Sequence, residues 1–432
     1  MANILSILFY DQLLPPRNGG QLRCFNLLRE LGRANRVHVV VLQSELDLAA
    51  HNRDEFPKSI KFYSPIQVPP PRTIFDLLPP KLGRALQYRW LRRSLKGSCQ
   101  SGFLKTHHLI HQILRNECID AAIFAGLAAM TAAPLVRRLS PRTVRILDAD
   151  NVEHKLVPLG GDFRSLLHTE SRLYEHVHAF FACSDDDRET LETLNRGKLK
   201  GFTVANGVDT KIRPFDDRAT KANSREVLFC GTLSYRPNQR GLDWFHGSVW
   251  PKITARYPGA RFLVIGRGSS SDDFKALRTD ATVNFIGEVD DVVPFYRRAW
   301  AVVVPLLDGS GTRLKILEAM SLGNPVVSTP VGAAGLTLAP EKHILLRADA
   351  ESFAEAVCNL LNDATRFNSV RAAARNYVEK TYDWTLIGDK LNEVIKHLTS
   401  ASANASSSRE EVNLGVRRNW ESATRAQDLS RD

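Results

Sequence analysis

The sequence predicts an α/β protein made of two Rossmann-like, doubly wound domains. Short apolar runs alternate with helix-length amphipathic stretches along the 432 residues. The apolar runs are continuous rather than alternating, as expected for parallel strands that are covered on both faces. A polar and charged stretch at 209–223 separates two similar halves, and a chain of this length is expected to form two or three domains.

The first half opens with the strand, loop, helix, strand order of a doubly wound sheet. The run 4–10 is predicted to be a strand, and the loop 15–20 that follows is rich in proline and glycine. Residues 21–33 have apolar side chains at helical spacing, beginning at Leu22. A second strand is predicted over 37–42.

The later apolar runs extend this pattern through both halves. Further strands are predicted at 121–124, 144–148, 180–183, 226–230, 261–265, 283–286, 301–305 and 325–328. The predicted organisation is a first domain over 1–205, a linker over 206–223, a second domain over 224–384, a helix over 385–398 and a polar tail over 399–432 that we expect to be disordered.

The composition favours a cytoplasmic protein with anionic partners. The chain has 58 Lys and Arg against 47 Asp and Glu, a net charge of +11, which suits nucleotide diphosphates, anionic lipids or nucleic acid. It contains no nucleic-acid recognition motif, so nucleic acid is not expected. The start lacks the basic region of a signal peptide, no apolar run is long enough to span a bilayer, and the scattered cysteines indicate a reducing compartment.

The stretch 81–96 has a pattern of its own. Leu82, Leu86 and Trp90 fall four apart, with six basic residues around them. A basic amphipathic helix of this kind can lie on an anionic membrane at the inner face. A surface helix that packs on the sheet is the alternative.

A glycine-rich loop and a helix follow the predicted strand 301–305. The loop contains Gly309 and Gly311, and the helix is expected to start near Gly311. Gly323 followed by Pro325 is a helix stop signal. Glycines at a helix start allow close approach of a ligand to the backbone, and the free N–H groups there favour a phosphate.

Charged residues of this helix suit a nucleotide. Arg313 and Lys315 add positive charge near the phosphate position. Glu318 lies seven residues after Gly311, and seven steps of about 100° return to nearly the same helix face, roughly 10 Å further along. A carboxylate there would accept hydrogen bonds from ribose hydroxyls. A glycine turn followed by a surface-charged helix remains the alternative.

The segment 308–325 resembles the donor-binding helix of the retaining glycosyltransferase 4 family, which has the GT-B fold. That family carries Glu-x7-Glu, with the second acid on the ribose and the first near the donor sugar. Glu318 matches the second acid, whereas Ser310 stands at the position of the first. The Pro237-Asn238 pair resembles a branch of exopolysaccharide-associated sugar transferases. The resemblance is most specific over 226–336.

A second family loop is similar to residues 229–245. Gly231 fits the glycine turn, and Thr232 stands where many members have arginine. Arg236 or Arg240 would supply the basic side chain that meets the diphosphate. An ordinary loop between a strand and a helix is the alternative.

Two features of the first half also resemble the family. Gly19 and Gly20 match an N-terminal glycine loop that closes over the donor, although a simple turn would have the same glycines. The segment 148–154 matches a region that faces the acceptor, where Asp148 or Asp150 would orient the acceptor hydroxyl. A cluster of helix-capping residues is the alternative.

The resemblance implies two facing domains with a donor cleft between them, and a helix near 385–398 that crosses back to the first domain. It implies transfer of a sugar from a nucleotide diphosphate to an acceptor hydroxyl with retention, without a metal or another cofactor. The acceptor would be a glycan or a lipid-linked glycan in exopolysaccharide or cell-envelope assembly. Arg236, Arg240 and Asp150 are the catalytic candidates. The donor-binding candidates are Gly19, Gly20, Gly231, Thr232, Gly309, Ser310, Gly311, Thr312, Arg313, Lys315 and Glu318.

Two other functions remain open at this point. A non-catalytic GT-B nucleotide-binding module would bind nucleotide without turnover, and Ser310 and Thr232 motivate it. A GT-B sugar-nucleotide epimerase would need no acceptor.

Overall fold

The computed structural model describes residues 1–8, 16, 19–41, 55–63, 100–157, 161–211, 225–268, 273–309 and 311–401, without the side chains of 100–105 and 161–162. Several sequence expectations lie outside these residues. They are the basic stretch 81–96, the donor-binding candidate Ser310, the part of the linker beyond 211 and the tail from 402 onward.

The first domain is built on a parallel sheet that has seven strands in the described part of the chain. The strands are β1 (Asn3–Leu8), β2 (Arg36–Val41), β3 (Ile60–Tyr63), β4 (Ala121–Ala125), β5 (Val144–Ala149), β6 (Ala179–Ala182) and β7 (Lys200–Thr203). The helices are α1 (Gly19–Ala34), α2 (Gln100–Asn116), α3 (Ala133–Leu139), α4 (Gly161–Glu170) and α5 (Asp185–Leu194), with short 3-10 turns at Leu127–Ala132, Glu153–Leu156 and Leu173–Glu175.

The second domain is built on a parallel sheet of six described strands. They are β8 (Glu226–Cys230), β9 (Arg261–Ile265), β10 (Val283–Gly287), β11 (Ala301–Val304), β12 (Val326–Ser328) and β13 (Leu345–Leu346). The helices are α6 (Arg236–Trp244), which continues through a π turn (Phe245–Val249) into α7 (Trp250–Arg256), then α8 (Lys275–Thr279), α9 (Val293–Arg298), α10 (Leu314–Ser321), α11 (Ala350–Asn362), α12 (Ala364–Thr381) and α13 (384–401).

Both sheets have the doubly wound strand order. The first runs β3-β2-β1-β4-β5-β6-β7 and the second runs β10-β9-β8-β11-β12-β13. The order reverses between β1 and β4 in one sheet and between β8 and β11 in the other. The predicted pair of Rossmann-like domains is therefore confirmed, and each has a crevice at the carboxyl ends of its strands, where such sheets bind ligands.

The interior strands are covered on both faces. In β1, the side chains of Ile4, Leu5 and Ile7 are fully buried although they alternate between faces, because α1 packs on one side of the sheet and α2 on the other. This burial explains why the strands read as continuous apolar runs. Each domain thus has a core layer on either side of its sheet.

Helix α13 returns to the first domain. Trp384, Ile387, Leu391 and Ile395 belong to the same core cluster as apolar residues of α1 and β2. Because the chain also runs from β7 into β8, it crosses between the domains at two places. The two crossings are joined, since Val208 pairs with Asp383 as a parallel bridge.

Helix α10 starts later than expected. The predicted start near Gly311 is wrong because Gly309 and Gly311 have φ values of 113° and 78°, which a right-handed helix excludes. The helix begins at Leu314 instead. The predicted stop at Gly323 is confirmed, since Gly323 has φ 76° and its N–H donates to Met320 O at 3.0 Å.

Candidate active site

A cavity of about 880 Å³ lies between the two domains, where the carboxyl ends of the two sheets face each other. Nine of the predicted site residues line it: Gly19, Gly20, Asp150, Arg236, Arg240, Gly309, Gly311, Thr312 and Arg313. Gly231, Thr232, Lys315 and Glu318 lie outside its lining, next to residues that form it. The structure thus brings candidates from both halves of the sequence to one cleft.

The glycine loop approaches the opposite domain closely at Gly311. A Cβ atom at this position would lie 2.7 Å from Oδ1 of Asn151, a first-domain residue directly beyond the end of β5. Nearby, Gly19 at the start of α1 lies against Leu314, the first residue of α10. Small residues on both sides therefore allow the two walls of the cleft to meet.

Arg313 lies beneath the glycine loop. A Cβ atom at Gly309 would lie 2.6 Å from Nη2 of Arg313. Burial lowers the pKa of the Arg313 guanidinium, and the neighbouring Tyr235 and Asp308 act in the opposite direction. Arginine remains charged even so, so the loop is backed by a largely buried positive charge.

The two catalytic arginine candidates differ in their surroundings. Arg240 pairs with Asp308 at 2.9 Å, and their side chains are 62% and 36% exposed. Asp308 is therefore engaged with a cation on the rim of the cleft. Arg236 is exposed at the first position of α6 and has no ion pair with another described residue. An exposed pair such as Arg240–Asp308 contributes only about 0–1 kcal/mol, so an anionic ligand can displace it.

Lys315 lies under the turn that follows β8. Its Nζ donates to Asn238 Oδ1 at 2.9 Å and lies 4.5 Å from the centre of the Phe229 ring. Burial, assisted by the charge of Arg313, lowers the pKa of the Lys315 ammonium to about 8, while Cys230 and Glu318 act in the opposite direction. A Cβ atom at Gly231 would lie 2.5 Å from this ammonium. The glycine therefore leaves room for the lysine.

Asn238 is a residue that the sequence interpretation used only as a family marker. Its Nδ2 donates to the Thr232 carbonyl at 2.7 Å while its Oδ1 accepts from Lys315. It thereby ties the loop after β8 to α10. The Pro237-Asn238 pair was the available sequence signal, but it carried no information about this contact.

Glu318 lies one turn into α10 from Leu314. Its Oε2 accepts a hydrogen bond from the buried Tyr296 hydroxyl at 3.2 Å. Contrary to the sequence expectation, Gly311 and Glu318 do not share a helix face, because the backbone at Gly311 is not helical. A ribose-binding role for Glu318 remains a prediction.

The two acidic candidates of the first domain, Asp148 and Asp150, have different surroundings. Asp148 is buried and accepts from Arg23, whose Nη2 lies 2.6 Å from Asp148 Oδ1. Asp150 lines the cavity. Only the second of these carboxylates lies where an acceptor hydroxyl could reach it.

The segment after Asp150 contains a titratable carboxylate that the sequence did not suggest. Burial, assisted by the charges of the neighbouring Asp150 and Glu170, raises the pKa of Glu153 to about 7. Glu170 holds this segment in place, since it accepts from the Glu153 N–H at 2.7 Å and lies 2.6 Å from His154 Nδ1.

Asn206 connects the two walls of the cleft. It lies beyond β7, accepts from Arg23 Nη1 at 3.0 Å and donates to Thr312 Oγ1 at 2.6 Å. The sequence motif Asn206-Gly207-Val208-Asp209 indicated a turn at the domain junction and nothing more. The contact joins residues that are 106 positions apart, so no local pattern could reveal it.

The second domain resembles a known protein family. Residues 224–363 match the family described as glycosyl transferases group 1. The chain is 24% identical over 315 residues to a GDP-mannose-dependent monoacylated alpha-(1-6)-phosphatidylinositol monomannoside mannosyltransferase of Corynebacterium glutamicum, covering 67% of this chain and 80% of that protein. It is 27% identical over 239 residues to the phosphatidyl-myo-inositol mannosyltransferase of Mycolicibacterium smegmatis, covering 53% of this chain and 59% of that enzyme.

Solved structures match nearly the whole fold. The Anabaena protein HepE in complex with UDP superposes with a TM-score of 0.68 at 14% identity, covering 91% of this chain and 100% of that chain. A sucrose-phosphate synthase from Thermosynechococcus elongatus superposes with a TM-score of 0.68 at 17% identity, covering 93% and 100%. The expected GT-B fold is confirmed, and the sequence relatives support glycosyltransferase activity.

No helix in the described part of the chain has the length and apolar character needed to cross a bilayer. Nor do three or more His, Cys, Asp or Glu side chains come together there in a way that would hold a metal ion.

Proposed function

We propose that this protein transfers a sugar from a nucleotide-diphosphate donor to an acceptor hydroxyl with retention of the anomeric configuration. One observation carries the proposal. The glycine loop with Gly309, Gly311 and Thr312, backed by Arg313, faces Gly19 and Gly20 across an interdomain cavity. A loop of this kind at the carboxyl edge of a doubly wound sheet suits a diphosphate.

The arrangement of charges suits departure of a nucleotide diphosphate. Negative charge develops on the leaving group as the bond to the sugar breaks, so donors aimed at its oxygens lower the barrier. The loop N–H groups, Arg313 and Arg236 would supply this stabilisation. Arg240 would join them when the diphosphate competes with Asp308 for its guanidinium.

Retention would proceed on one face of the sugar. A leaving phosphate oxygen would take the proton of the acceptor hydroxyl, which then bonds to the anomeric carbon as the bond to the diphosphate breaks. Asp150, on the first-domain wall of the cavity, would orient that hydroxyl. We propose that the reaction needs no metal and no other cofactor.

The named relatives suggest an acceptor class. Two of them are mannosyltransferases that act on phosphatidylinositol derivatives. We propose a glycan or lipid-linked glycan acceptor used in exopolysaccharide or cell-envelope assembly. The protein would work in the cytoplasm at the inner face of the membrane, with the basic stretch 81–96 on anionic lipid.

Two alternatives are favoured by specific residues. A non-catalytic nucleotide-binding module fits the replacement of charged family residues by Ser310 and Thr232. A sugar-nucleotide epimerase would use the same donor cleft without an acceptor. Both predict nucleotide binding, so binding alone does not separate them from a transferase.

The test combines binding with turnover on the full chain. Thermal-shift measurements with UDP, GDP, ADP and TDP, and with sugars of the same nucleotides, should show stabilisation by one nucleotide family. The selected donor is then incubated with vesicles that contain lipid-linked acceptors, and products are identified by mass spectrometry and NMR of the anomeric proton. An α-linked product from an α-linked donor supports the proposal. Nucleotide binding without product would favour the non-catalytic module, and an isomerised nucleotide sugar would favour the epimerase.

A further inference from the structure

Thr312 receives a directed hydrogen-bond chain from the opposite domain. The chain starts at Arg23, which is 1% exposed and held by Asp148 and by the Val204 carbonyl. It passes through Asn206 and ends on the Thr312 hydroxyl. Arg23 and Asn206 belong to the first-domain side of the cleft, whereas Thr312 lies in the glycine loop of the second domain.

The chemistry of arginine fixes the direction of this chain. A guanidinium can only donate hydrogen bonds, so the atom of Asn206 that lies 3.0 Å from Arg23 Nη1 must be the carbonyl oxygen. The amide nitrogen of Asn206 therefore faces Thr312 Oγ1 at 2.6 Å. The orientation of the amide thus follows from its partner and not from a choice between two similar atoms.

The direction of this chain determines which way the Thr312 hydroxyl can donate. Because its oxygen accepts from Asn206, its proton must point in another direction. Among the described residues the hydroxyl has no acceptor of its own, and the residue lines the interdomain cavity. The hydroxyl can therefore donate its proton to a ligand in the cavity, and hydrogen bonds in such a chain strengthen one another.

We propose that Arg23 and Asn206 are positioning residues that hold the Thr312 hydroxyl as a hydrogen-bond donor to a phosphate oxygen of the nucleotide diphosphate. The inference rests on the proposed function, because it takes the diphosphate as the ligand of this loop. It adds that Arg23 and Asn206 of the first domain take part in holding the phosphate without touching it.

The backbone of the loop explains why such positioning is needed. Thr312 follows Gly311, whose φ of 78° is open to glycine and costly for most other residues, and the loop begins with Gly309 in a similar conformation. Glycines give this loop many alternative conformations. A hydrogen bond from the opposite wall selects the conformation in which the hydroxyl faces the cavity, and it forms only while the two walls are in contact.

A double-mutant cycle on the full chain tests the proposal. Asn206→Ala, Thr312→Val and the double variant are titrated with UDP and GDP by calorimetry, using whichever binds the wild type. We expect Thr312→Val to weaken affinity about tenfold and Asn206→Ala about three- to tenfold. The double variant should bind no more than about twofold more weakly than Thr312→Val, because Asn206 acts through the hydroxyl that Thr312→Val removes.

Two further variants distinguish positioning from general damage. Thr312→Ser keeps the hydroxyl and should retain affinity within about threefold. Asn392→Ala is the matched control, since Asn392 of α13 also makes hydrogen bonds to the first domain, with Asn35 Nδ2 at 2.7 Å and the Glu30 carbonyl at 3.2 Å. It should lower the melting temperature and leave nucleotide affinity within about twofold of the wild type.

Three results would overturn the inference. They are wild-type affinity in Asn206→Ala, losses that multiply in the double variant, and an equal loss in Asn392→Ala. Each requires that the wild type binds a nucleoside diphosphate. Failure of the wild type to bind any of them contradicts the proposed function itself, so the two failures are distinguishable.

Discussion

Glu318 is oriented before any nucleotide arrives, because the buried Tyr296 hydroxyl donates to it at 3.2 Å. A carboxylate has lone pairs on both oxygens and can accept several hydrogen bonds at once. A pair of ribose hydroxyls is the donor that the proposed function supplies. The residue therefore offers a direct test of nucleotide recognition on α10.

Glu318→Ala should weaken nucleoside-diphosphate binding by about 10- to 100-fold, because hydrogen bonds to a charged group are worth about 1.5–3 kcal/mol. Glu318→Gln should fall between the wild type and Glu318→Ala, since its amide oxygen still accepts from Tyr296 but carries no charge. Calorimetric titration measures both. Glu351→Ala is the control, because Glu351 pairs with Lys252 and Arg256 on the exposed surface of the same domain. Equal affinities of Glu318→Ala and Glu351→Ala would contradict the assignment.

Lys315 should make nucleotide binding depend on pH. Burial lowers its pKa to about 8, so the free protein loses this positive charge as pH rises through that value. A bound diphosphate favours the charged form, so affinity should fall by up to about tenfold per pH unit above 8, with proton uptake on binding. Lys315→Met should bind more weakly at pH 7 and lose this dependence.

The same lysine predicts how stability changes with pH. Its pKa in the folded protein lies below the ordinary lysine value of 10.5, so the unfolded chain binds more protons between about 8 and 10.5. This residue therefore makes stability rise with pH in that window. Chemical denaturation of the wild type and Lys315→Met at pH 8 and pH 10 checks the sign. A larger rise in the variant than in the wild type would contradict it.

At the residue scale, prediction from sequence works best where the chemistry is local. The glycines, Thr312 and Arg313 lie in one short segment, which lines the cavity although its helix begins at Leu314 and not near Gly311. Asn206 and Asn238 were missed because their roles depend on partners 106 and 77 positions away. Asp148 and Asp150 could not be told apart, since only folding brings Arg23 to the first of them.

At the scale of elements, the glycine loop between β11 and α10 is a contact surface as well as a ligand loop. A side chain at Gly311 would have to displace the side chain of Asn151 in the first domain. Glycine is therefore favoured at position 311 for two reasons. Its φ of 78° is costly for other residues, and a side chain there would lie against the opposite wall of the cleft.

Gly311→Ala should weaken nucleotide binding about tenfold or more, because the added methyl group would lie 2.7 Å from Asn151 Oδ1 and force the walls apart. Gly197→Ala is the matched control, since Gly197 has a similar φ of 67° with nothing within 4 Å of the added Cβ. It should cost about 1–2 kcal/mol of stability and leave affinity unchanged. Asn151→Gly in the Gly311→Ala background should restore part of the binding. Equal binding losses in the two alanine variants would show that backbone strain alone is responsible.

Elements were predictable where burial is complete. The central strands of both sheets were found from continuous apolar runs, and several boundaries agree to within a residue. The strands that were missed, β3, β7 and β13, lie at sheet edges and are four residues long or shorter. An edge strand is only partly covered, so it lacks the continuous apolar run that marks an interior strand.

At the scale of the whole molecule, α13 makes the first domain depend on residues that come after the second domain in sequence. Leu391 on this helix is 1% exposed and lies in the core cluster that also contains Leu27 and Leu28 of α1. The first domain is therefore completed by residues that follow the second domain in sequence.

Leu391→Ala should destabilise the protein by about 2–5 kcal/mol, the usual cost of emptying a buried leucine site. The melting temperature should fall by about 5–15 °C for a domain of this size. Leu386→Ala on the same helix is the control, because Leu386 is 38% exposed, and it should change the melting temperature by less than about 2 °C. Scanning calorimetry separates these outcomes, and equal shifts would contradict the burial of α13 as the cause.

The periodicity of apolar residues in the sequence predicted the two-domain architecture, but it did not predict which residues of the two domains come into contact. Alternating strands and helices determine what each half becomes. The cleft depends on contacts such as Asn206 with Thr312 and Gly19 with Leu314, which join separate halves of the chain. Periodicity within each half contains no information about these contacts.

The return of α13 also sets an order of events during synthesis. Ribosomes add about 5–20 residues per second, so roughly 10–40 s pass between the emergence of β7 and that of α13. During this interval the face of α1 that Leu391 and Ile395 later cover is without its partner helix. The apolar face of α1 in the nascent first domain is thus accessible to chaperones until the second domain and α13 have been synthesised.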